Sequence, residues 1–258
     1  MDVQKYAEKP FRTRNSWKKS ITEEWDIVVC NAANPLSASC VAEFAIGLLL
    51  SISRKIVQSF DAIKSAEWVE AFPPHSCIGR GLVNASVGIV GMGRIGQAVL
   101  NRILPFEVSR VFYYDIVDPI ADVDKKGAMK VKFEDLLQNS DYIILTCNLT
   151  DENKGMFDKK AFSLMKPNAI LINVSRGGLI EQEDLIDALK KKQIRAAALD
   201  VTNPEPLPQD HELLKLQNIV ITPHTAGIEE TSLEVYSSVT AENIIAVLEG
   251  ESPITPVT

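Results

Sequence analysis

The order of apolar and polar positions divides the chain into a long central block and two flanks. From Ala85 onward, short unbroken apolar runs alternate with amphipathic stretches. "ASVGIVG", "RVFYYD", a short "AMKVK", "DYIILT", "NAILINV", "RAAALD" and "NIVIT" read as strands. Between the first two, "RIGQAVLNRIL" puts Ile95, Val99 and Ile103 on one helical face and stops at Pro105. Further helices are expected near 133–137, 159–165 and 183–191. A strand that faces water on one side alternates; one that is apolar at consecutive positions is covered on both sides. Strand–helix alternation of this kind predicts an α/β fold built on a doubly wound parallel sheet.

A long helical segment lies on each side of this block. Residues 39–63 are apolar nearly all round at first and then polar, which predicts burial between domains or subunits. Residues 231–249 carry Leu233, Tyr236, Ala241, Ile245 and Leu248, and Gly250 supplies a stop. The N-terminal residues up to about 36 hold one convincing strand, "DIVVC", and are too few for a domain of their own. They are expected to pack on something else or to be the remnant of a larger unit.

Composition narrows the function classes. The chain has 258 residues, 46% of them hydrophobic and 24% charged, in the range of a soluble globular enzyme or binding protein. Its 27 basic and 34 acidic residues give a net charge of −7 with no basic stripe, so nucleic acid is not an expected partner. The clusters at Lys18 and Lys190 are short and read as solvated helix ends. Cys30, Cys40, Cys77 and Cys147 are far apart, without metal-ligand spacing, and are expected as reduced, mostly buried thiols. The longest apolar run, from Val41, reads as too short for a bilayer and includes Glu43. No secretory signal is visible at the start, so a cytoplasmic protein without a membrane partner is expected.

"GIVGMGRIGQAV" places Gly91, Gly93 and Gly96 in the G-x-G-x-x-G spacing, directly after a strand and opening a helix. Gly91 permits a tight turn, Gly93 a close approach by pyrophosphate, and Gly96 close helix–strand packing. The helix N-terminus favours phosphate, and Arg94 offers a further cation. Asp115 ends the next strand, where a carboxylate accepts from ribose hydroxyls and repels a 2′-phosphate; Asp118 lies close enough to bias the same region. This favours NAD as the cofactor over NADP.

Three consecutive strand ends carry reactive side chains. "NAILINV" is followed by Ser175, Arg176 and Gly177, "RAAALD" ends at Asp200 with Glu205 in "NPEPLP" beyond it, and "NIVIT" is followed by His224. Adjacent parallel strands would bring them together at the carboxyl edge of the sheet, where ligands bind in such folds. Reduction of a 2-oxo acid needs a proton at the substrate oxygen, and an imidazole supplies it near neutral pH. Glu205 is the expected partner of His224, and Arg176 the fork for a substrate carboxylate. Asp200 suits the cofactor's carboxamide or ribose better than the proton. His75 and His211 lack such a setting and read as loop residues.

"GMGRIG", "INVSRGGLIEQEDLIDAL", "ALDVTNPEPLP" and "ITPHTAG" resemble the signatures of the D-isomer-specific 2-hydroxyacid dehydrogenases, nearest the glyoxylate/hydroxypyruvate and 2-ketogluconate reductases. The resemblance runs from about Ile27 to the C-terminus. It implies a Rossmann-type NAD domain with a partial second, substrate domain, and Arg176, Glu205 and His224 as catalytic residues. It also implies that Gly91, Gly93, Arg94, Ile95, Gly96, Asp115, Asn148, Val174, Ser175, Arg176, Asp200, His224 and Gly227 line the cofactor site. Asn148 stands where the family usually has proline. A homodimer formed through the cofactor domain, with the first crossing helix at the interface, is implied as well. The resulting division is 1–38 as a substrate-domain remnant, 39–226 as the NAD-binding domain with that helix, and 227–258 as a helix returning to the substrate domain.

The chain departs from the family upstream of "VVCNAAN". "FRTRNSWKKSITEEWD" stands there in place of the substrate domain and its glycine-rich carboxylate-binding loop, so impaired turnover with intact NAD binding is expected. Two function classes result. One is an NAD(P)H-dependent reductase of a small 2-oxo acid of the glyoxylate, hydroxypyruvate or 2-ketogluconate type. The other is a truncated NAD-binding scaffold or dimerisation subunit resembling the family's corepressor relatives. Phosphoglycerate and formate dehydrogenases are more distant possibilities within the fold.

Overall fold

The structure is a computed structural model that describes residues 28–32, 35–66, 68 and 75–256. Seven strands, among the described residues, form one parallel sheet: β1 (Ser86–Val90), β2 (Arg110–Tyr114), β3 (Ala128–Lys130), β4 (Tyr142–Leu145), β5 (Ile170–Asn173), β6 (Ala196–Leu199) and β7 (Ile219–Ile221). Their order is β3-β2-β1-β4-β5-β6-β7. The chain winds outward from β1 through β2 to β3, then returns to the other side of β1 to lay down β4 and the rest. That reversal opens a crevice above the carboxyl ends of β1 and β4, the feature of a Rossmann-type fold that receives a dinucleotide.

Every residue of β1, β4, β5 and β6 is buried, as their unbroken apolar sequences predict. Side chains alternate between the two faces. Tyr142 and Ile144 join one apolar layer with Val87, Ile89, Val99 and Leu100, whereas Ile143 and Leu145 join another with Leu136, Phe162, Leu171 and Leu185. The helices that cover the sheet include α3 (Arg94–Ile103), α5 (Phe133–Asn139), α6 (Lys159–Leu164) and α7 (Gln182–Lys190), with α4 (Ala121–Asp124) a single turn. Pro105 sits in a 3-10 turn, Leu104–Phe106, that follows α3. At the amino end of β4, Asp141 is buried and gathers hydrogen bonds from Ser86, Lys166 and Asn168 and an ion pair from Arg80.

The first long helix differs from the continuous 39–63 segment expected. α1 (Pro35–Ser53) ends and α2 (Ile56–Lys64) begins across Lys55, whose φ is 56°. The cause is a returning segment: Arg80 N–H donates to the Ser53 carbonyl at 2.7 Å, and a Cβ on Gly79 would stand 2.4 Å from that same oxygen. The Ser53 carbonyl is thereby satisfied from outside the helix, and the Gly79–Arg80 backbone occupies the space at the end of α1. α1 also exceeds the apolar run counted from Val41: over Leu36–Ser53 it is long and apolar enough by length and composition to cross a membrane. In this structure Ala42, Ala45, Leu48, Leu49 and Ile52 are buried in the sheet's first apolar layer. α2 is not the polar continuation expected either, because Ile56, Val57, Phe60 and Ile63 are exposed.

Ala38–Ile228 forms one compact unit, and Glu229–Thr258 forms a second with the described residues that precede Ala38. In the second, α8 (Glu230–Leu248) is capped by the Glu229 carboxylate, which accepts from Thr231 N–H at 3.0 Å and Ser232 N–H at 2.9 Å. Gly250, with φ 80°, follows its end. The expected apolar face is mostly open: Leu233, Ile245 and Leu248 are exposed, and the buried residues are Ser232, Asn243 and Ala246. Asn243 ties the helix to its surroundings, donating to Thr255 Oγ1 and accepting from Thr255 N–H. Of "DIVVC", Asp26 and Ile27 lie outside the described residues, and Cys30 makes an isolated bridge with Pro256. Each of the four cysteines is half-buried rather than buried.

Candidate active site

The glycine turn assigns each of its three glycines a different duty. Gly91 has φ 95°, and a Cβ there would meet Cys147 N at 2.5 Å. A Cβ on Gly96 would lie 2.1 Å from the Gly91 carbonyl oxygen, which is the close approach of helix to strand. A Cβ on Gly93 would meet nothing within 4 Å, so the space before it is open. Gly93 is also the N-cap of α3 and offers no capping side chain, leaving the helix N-terminus to a ligand. Arg94 is exposed beside this opening and Ile95 is half-buried.

Asp115 follows β2 and reaches back to the turn: its Oδ2 accepts from Met92 N–H at 2.6 Å, and its Oδ1 from Val117 N–H at 3.1 Å. Each oxygen keeps a further lone pair, as a ribose diol requires. Burial pushes the Cys147 thiol up to about 11, and the Asp115 charge adds to that, so the thiol is neutral packing beneath Gly91. These open spaces and free acceptors fit a dinucleotide. Asn148, after β4, is exposed, and its carbonyl accepts from Asn153 Nδ2 at 2.8 Å.

The three strand ends come level at one edge of the sheet. Asn173 of β5 pairs with Leu199 of β6, and Leu199 with Ile221 of β7. Beyond β5, the buried Asn173 side chain closes the turn by accepting from Ser175 N–H at 3.0 Å and donating to the Arg176 carbonyl at 2.9 Å. Val174 and Ser175 are buried, and the Ser175 hydroxyl donates to the Cys147 carbonyl. Arg176 is exposed, with Nη1 2.7 Å from the Ser175 carbonyl. Its loop is pressed against the one bearing Glu205: a Cβ on Gly177 would stand 2.0 Å from the Thr202 carbonyl oxygen.

Glu205 meets His224. Its Oε2 lies 3.1 Å from His224 Nδ1, and its Oε1 accepts from Thr202 N–H at 2.9 Å. An ionised carboxylate only accepts, so Nδ1 carries the proton and Nε2 is left as the ring's other nitrogen. The two side chains are 50% and 39% exposed, so the pair adds little to stability and its value lies in orientation.

Asp200, fully buried, holds the turn on which His224 stands. Its Oδ1 accepts from Thr222 Oγ1 at 2.6 Å and Thr225 N–H at 2.9 Å, and its Oδ2 from Ala226 N–H at 2.9 Å. The Asp200 carbonyl accepts from His224 N–H at 2.8 Å, and His224 adopts φ 56°. One acceptor position on Oδ2 is left over. Gly227 follows this turn and is half-buried. The sequence reading missed Asn173, Thr202 and Cys147 as supports; a polar residue closing an otherwise apolar strand, "ILIN", was the available signal for the first.

Comparison with known proteins agrees with this architecture. Residues 46–226 match the family model of the D-isomer specific 2-hydroxyacid dehydrogenase, NAD binding domain. A glyoxylate reductase/hydroxypyruvate reductase of Mus musculus is 41% identical over 82% of this chain and 64% of its own length. A glyoxylate reductase of Thermococcus litoralis is 40% identical over 88% of this chain and 69% of its own length. Among solved structures, the TT0316 protein of Thermus thermophilus is similar with a TM-score of 0.84 at 36% identity, covering 92% of this chain and 73% of that one. The chain thus spans just under two thirds of the mouse protein it matches. A glycine turn poised for pyrophosphate, three level strand ends and a family model matched across both place this chain in the D-isomer-specific 2-hydroxyacid dehydrogenase family, through its NAD-binding domain.

Proposed function

We propose that the chain reduces a small 2-oxo acid to its D-2-hydroxy acid with NADH, the acid being of the glyoxylate, hydroxypyruvate or 2-ketogluconate type. The observation that carries this reading is the Glu205–His224 pair at the end of β7, level with the loop that presents Arg176. The reduced nicotinamide, when bound, supplies the hydride. Arg176 binds the substrate carboxylate through its planar fork. His224 donates a proton from Nε2 to the oxygen that becomes the hydroxyl, and Glu205 holds Nδ1–H so that the ring keeps its orientation and its imidazolium form is stabilised. Asp200 offers its remaining acceptor position to the cofactor's carboxamide, and Asp115 its free lone pairs to the adenosine ribose, which favours NAD over NADP.

The test is NADH and NADPH oxidation by the purified chain with glyoxylate, hydroxypyruvate and 2-ketogluconate. Turnover with at least one acid, faster with NADH, is expected. NADH binding without turnover on any of the three would instead favour the scaffold reading.

We also infer a homodimer in the cytoplasm. Ile56, Phe60 and Ile63 recur at helical spacing on α2 and are 54%, 60% and 55% exposed, an apolar face that a second copy can cover. Phe60→Asp is expected to shift the mass measured by light scattering from dimer to monomer. A monomeric wild type would refute the dimer.

A further inference from the structure

Gln182, the first residue of α7, ends in an amide that lies between two segments flanking the Glu205–His224 pair. Its Oε1 accepts from Asn203 N–H at 3.2 Å, and its Nε2 lies 3.1 Å from His211 Nε2. Asn203 is two residues before Glu205, and His211 caps the 3-10 turn Glu212–Lys215 that leads into β7 and His224. Apart from the contact with His224 itself, this is the only hydrogen bond, among the described residues, that joins the Asn203–Pro206 stretch to another element; the bonds from Thr202 are local. α7 in turn follows directly on the loop of Arg176. A single side chain therefore bonds the segment that follows the guanidinium to the one that carries the carboxylate, and stands against the segment that leads to the imidazole.

The donors and acceptors around this amide leave the coupling incomplete. Leu213 N–H donates to His211 Nδ1 at 3.2 Å, so the neutral ring bears its proton on Nε2. That proton needs an acceptor, as does Asn203 N–H, and the amide has one oxygen. With the oxygen on Asn203 the amide NH2 faces a ring N–H; turned over, it serves His211 and leaves Asn203 without a partner. A carboxylate at this position would accept from both.

We propose that Gln182 is a positioning residue for the Glu205–His224 pair: by anchoring Asn203 it holds the Glu205 carboxylate against His224 Nδ1. The inference rests on the reductase reading for its consequence in turnover, but not for the contact itself. Gln182→Ala leaves NADH affinity unchanged and lowers kcat about tenfold, the loss expected when a catalytic group is held less well. KM for the 2-oxo acid moves less than kcat, and Gln182→Glu restores kcat to about the wild-type value because the carboxylate again anchors Asn203. Should the alanine variant fold poorly, Gln182→Met keeps the length of the side chain without the amide.

A second readout does not depend on activity. The chain has three histidines, so the hydrogen-bonded Nδ1 proton of His224 is assignable by proton NMR from single substitutions. That resonance is expected to be sharp in the wild type and in Gln182→Glu, and broadened or lost in Gln182→Ala or Gln182→Met. A wild type without turnover on any 2-oxo acid would refute the reductase reading while the resonance still decided the contact. A resonance as sharp in Gln182→Ala as in the wild type overturns the proposal, whatever happens to kcat.

Discussion

His224→Ala is expected to lower kcat by about a thousandfold while NADH still binds, since a positioned acid–base group contributes roughly 10²–10⁴ in rate. The separation of the two effects follows from the fold. The features suited to the dinucleotide, the open space before Gly93 and the Asp115 acceptors, lie at the ends of β1 and β2, whereas the imidazole stands at the end of β7. Removing the ring empties a half-exposed position and leaves the Asp200 carboxylate on Thr222, Thr225 and Ala226. Stopped-flow NADH oxidation and a fluorescence titration check the two halves. An alanine variant that turns over at the wild-type rate would remove His224 from the chemistry.

Asp141→Asn is expected to be the most damaging single-atom change to stability. Its Oδ2 accepts from Ser86 N–H and Ser86 Oγ, each at 2.9 Å; its Oδ1 lies 3.3 Å from Lys166 Nζ and Asn168 Nδ2 and 3.2 Å from Arg80 Nη2. Burial alone would raise the carboxyl's pKa; the Ser86 donors, then Arg80 and Lys166, more than reverse this and hold it at about 2. An amide in its place leaves two cations without their counter-ion and turns a donor toward them. The cost is on the order of 3 kcal/mol. At neutral pH that corresponds to a fall in Tm of about 6–12 °C for a unit of this size.

The pH dependence has a definite sign. The folded carboxyl titrates below its unfolded value of 3.8, so its contribution is complete above that pH and is lost as the pH falls toward about 2. The gap in Tm between wild type and Asp141→Asn should therefore be full at pH 7 and narrow progressively below pH 4. Thermal unfolding followed by circular dichroism at several pH values measures it. A gap that stays constant down to pH 2 would mean that the side chain's shape matters and its charge does not.

How much of this was legible in the sequence depended on the range of the interaction responsible. The strands were legible because burial on both faces leaves an unbroken apolar run, and the three site loops because each begins where such a run stops. The glycine turn was legible from spacing, and the structure adds the reasons, such as the 2.1 Å that separates a Gly96 Cβ from Gly91. The break at Lys55 was not, because its cause lies downstream at Gly79 and Arg80, which reach the Ser53 carbonyl only in the folded chain. Nor was the apolar face of α2: Ile56, Phe60 and Ile63 are diluted by Gln58, Asp61 and Lys64, and a short helix gives few repeats from which to read a stripe. Gln182 reads as an ordinary residue of a helix's first turn, and its partners at Asn203 and His211 are set by tertiary packing alone.

The Asp200 cradle has a consequence for the rate. The turn that carries the imidazole is hydrogen-bonded at Thr222, Thr225 and Ala226 to a carboxylate sunk in the sheet, and the His224 amide is bonded to that residue's own carbonyl. Such a mount stands ready before any reactant arrives. In the proposed reduction, little reorganisation of that turn accompanies the proton's passage, because the Glu205 carboxylate already faces His224 Nδ1.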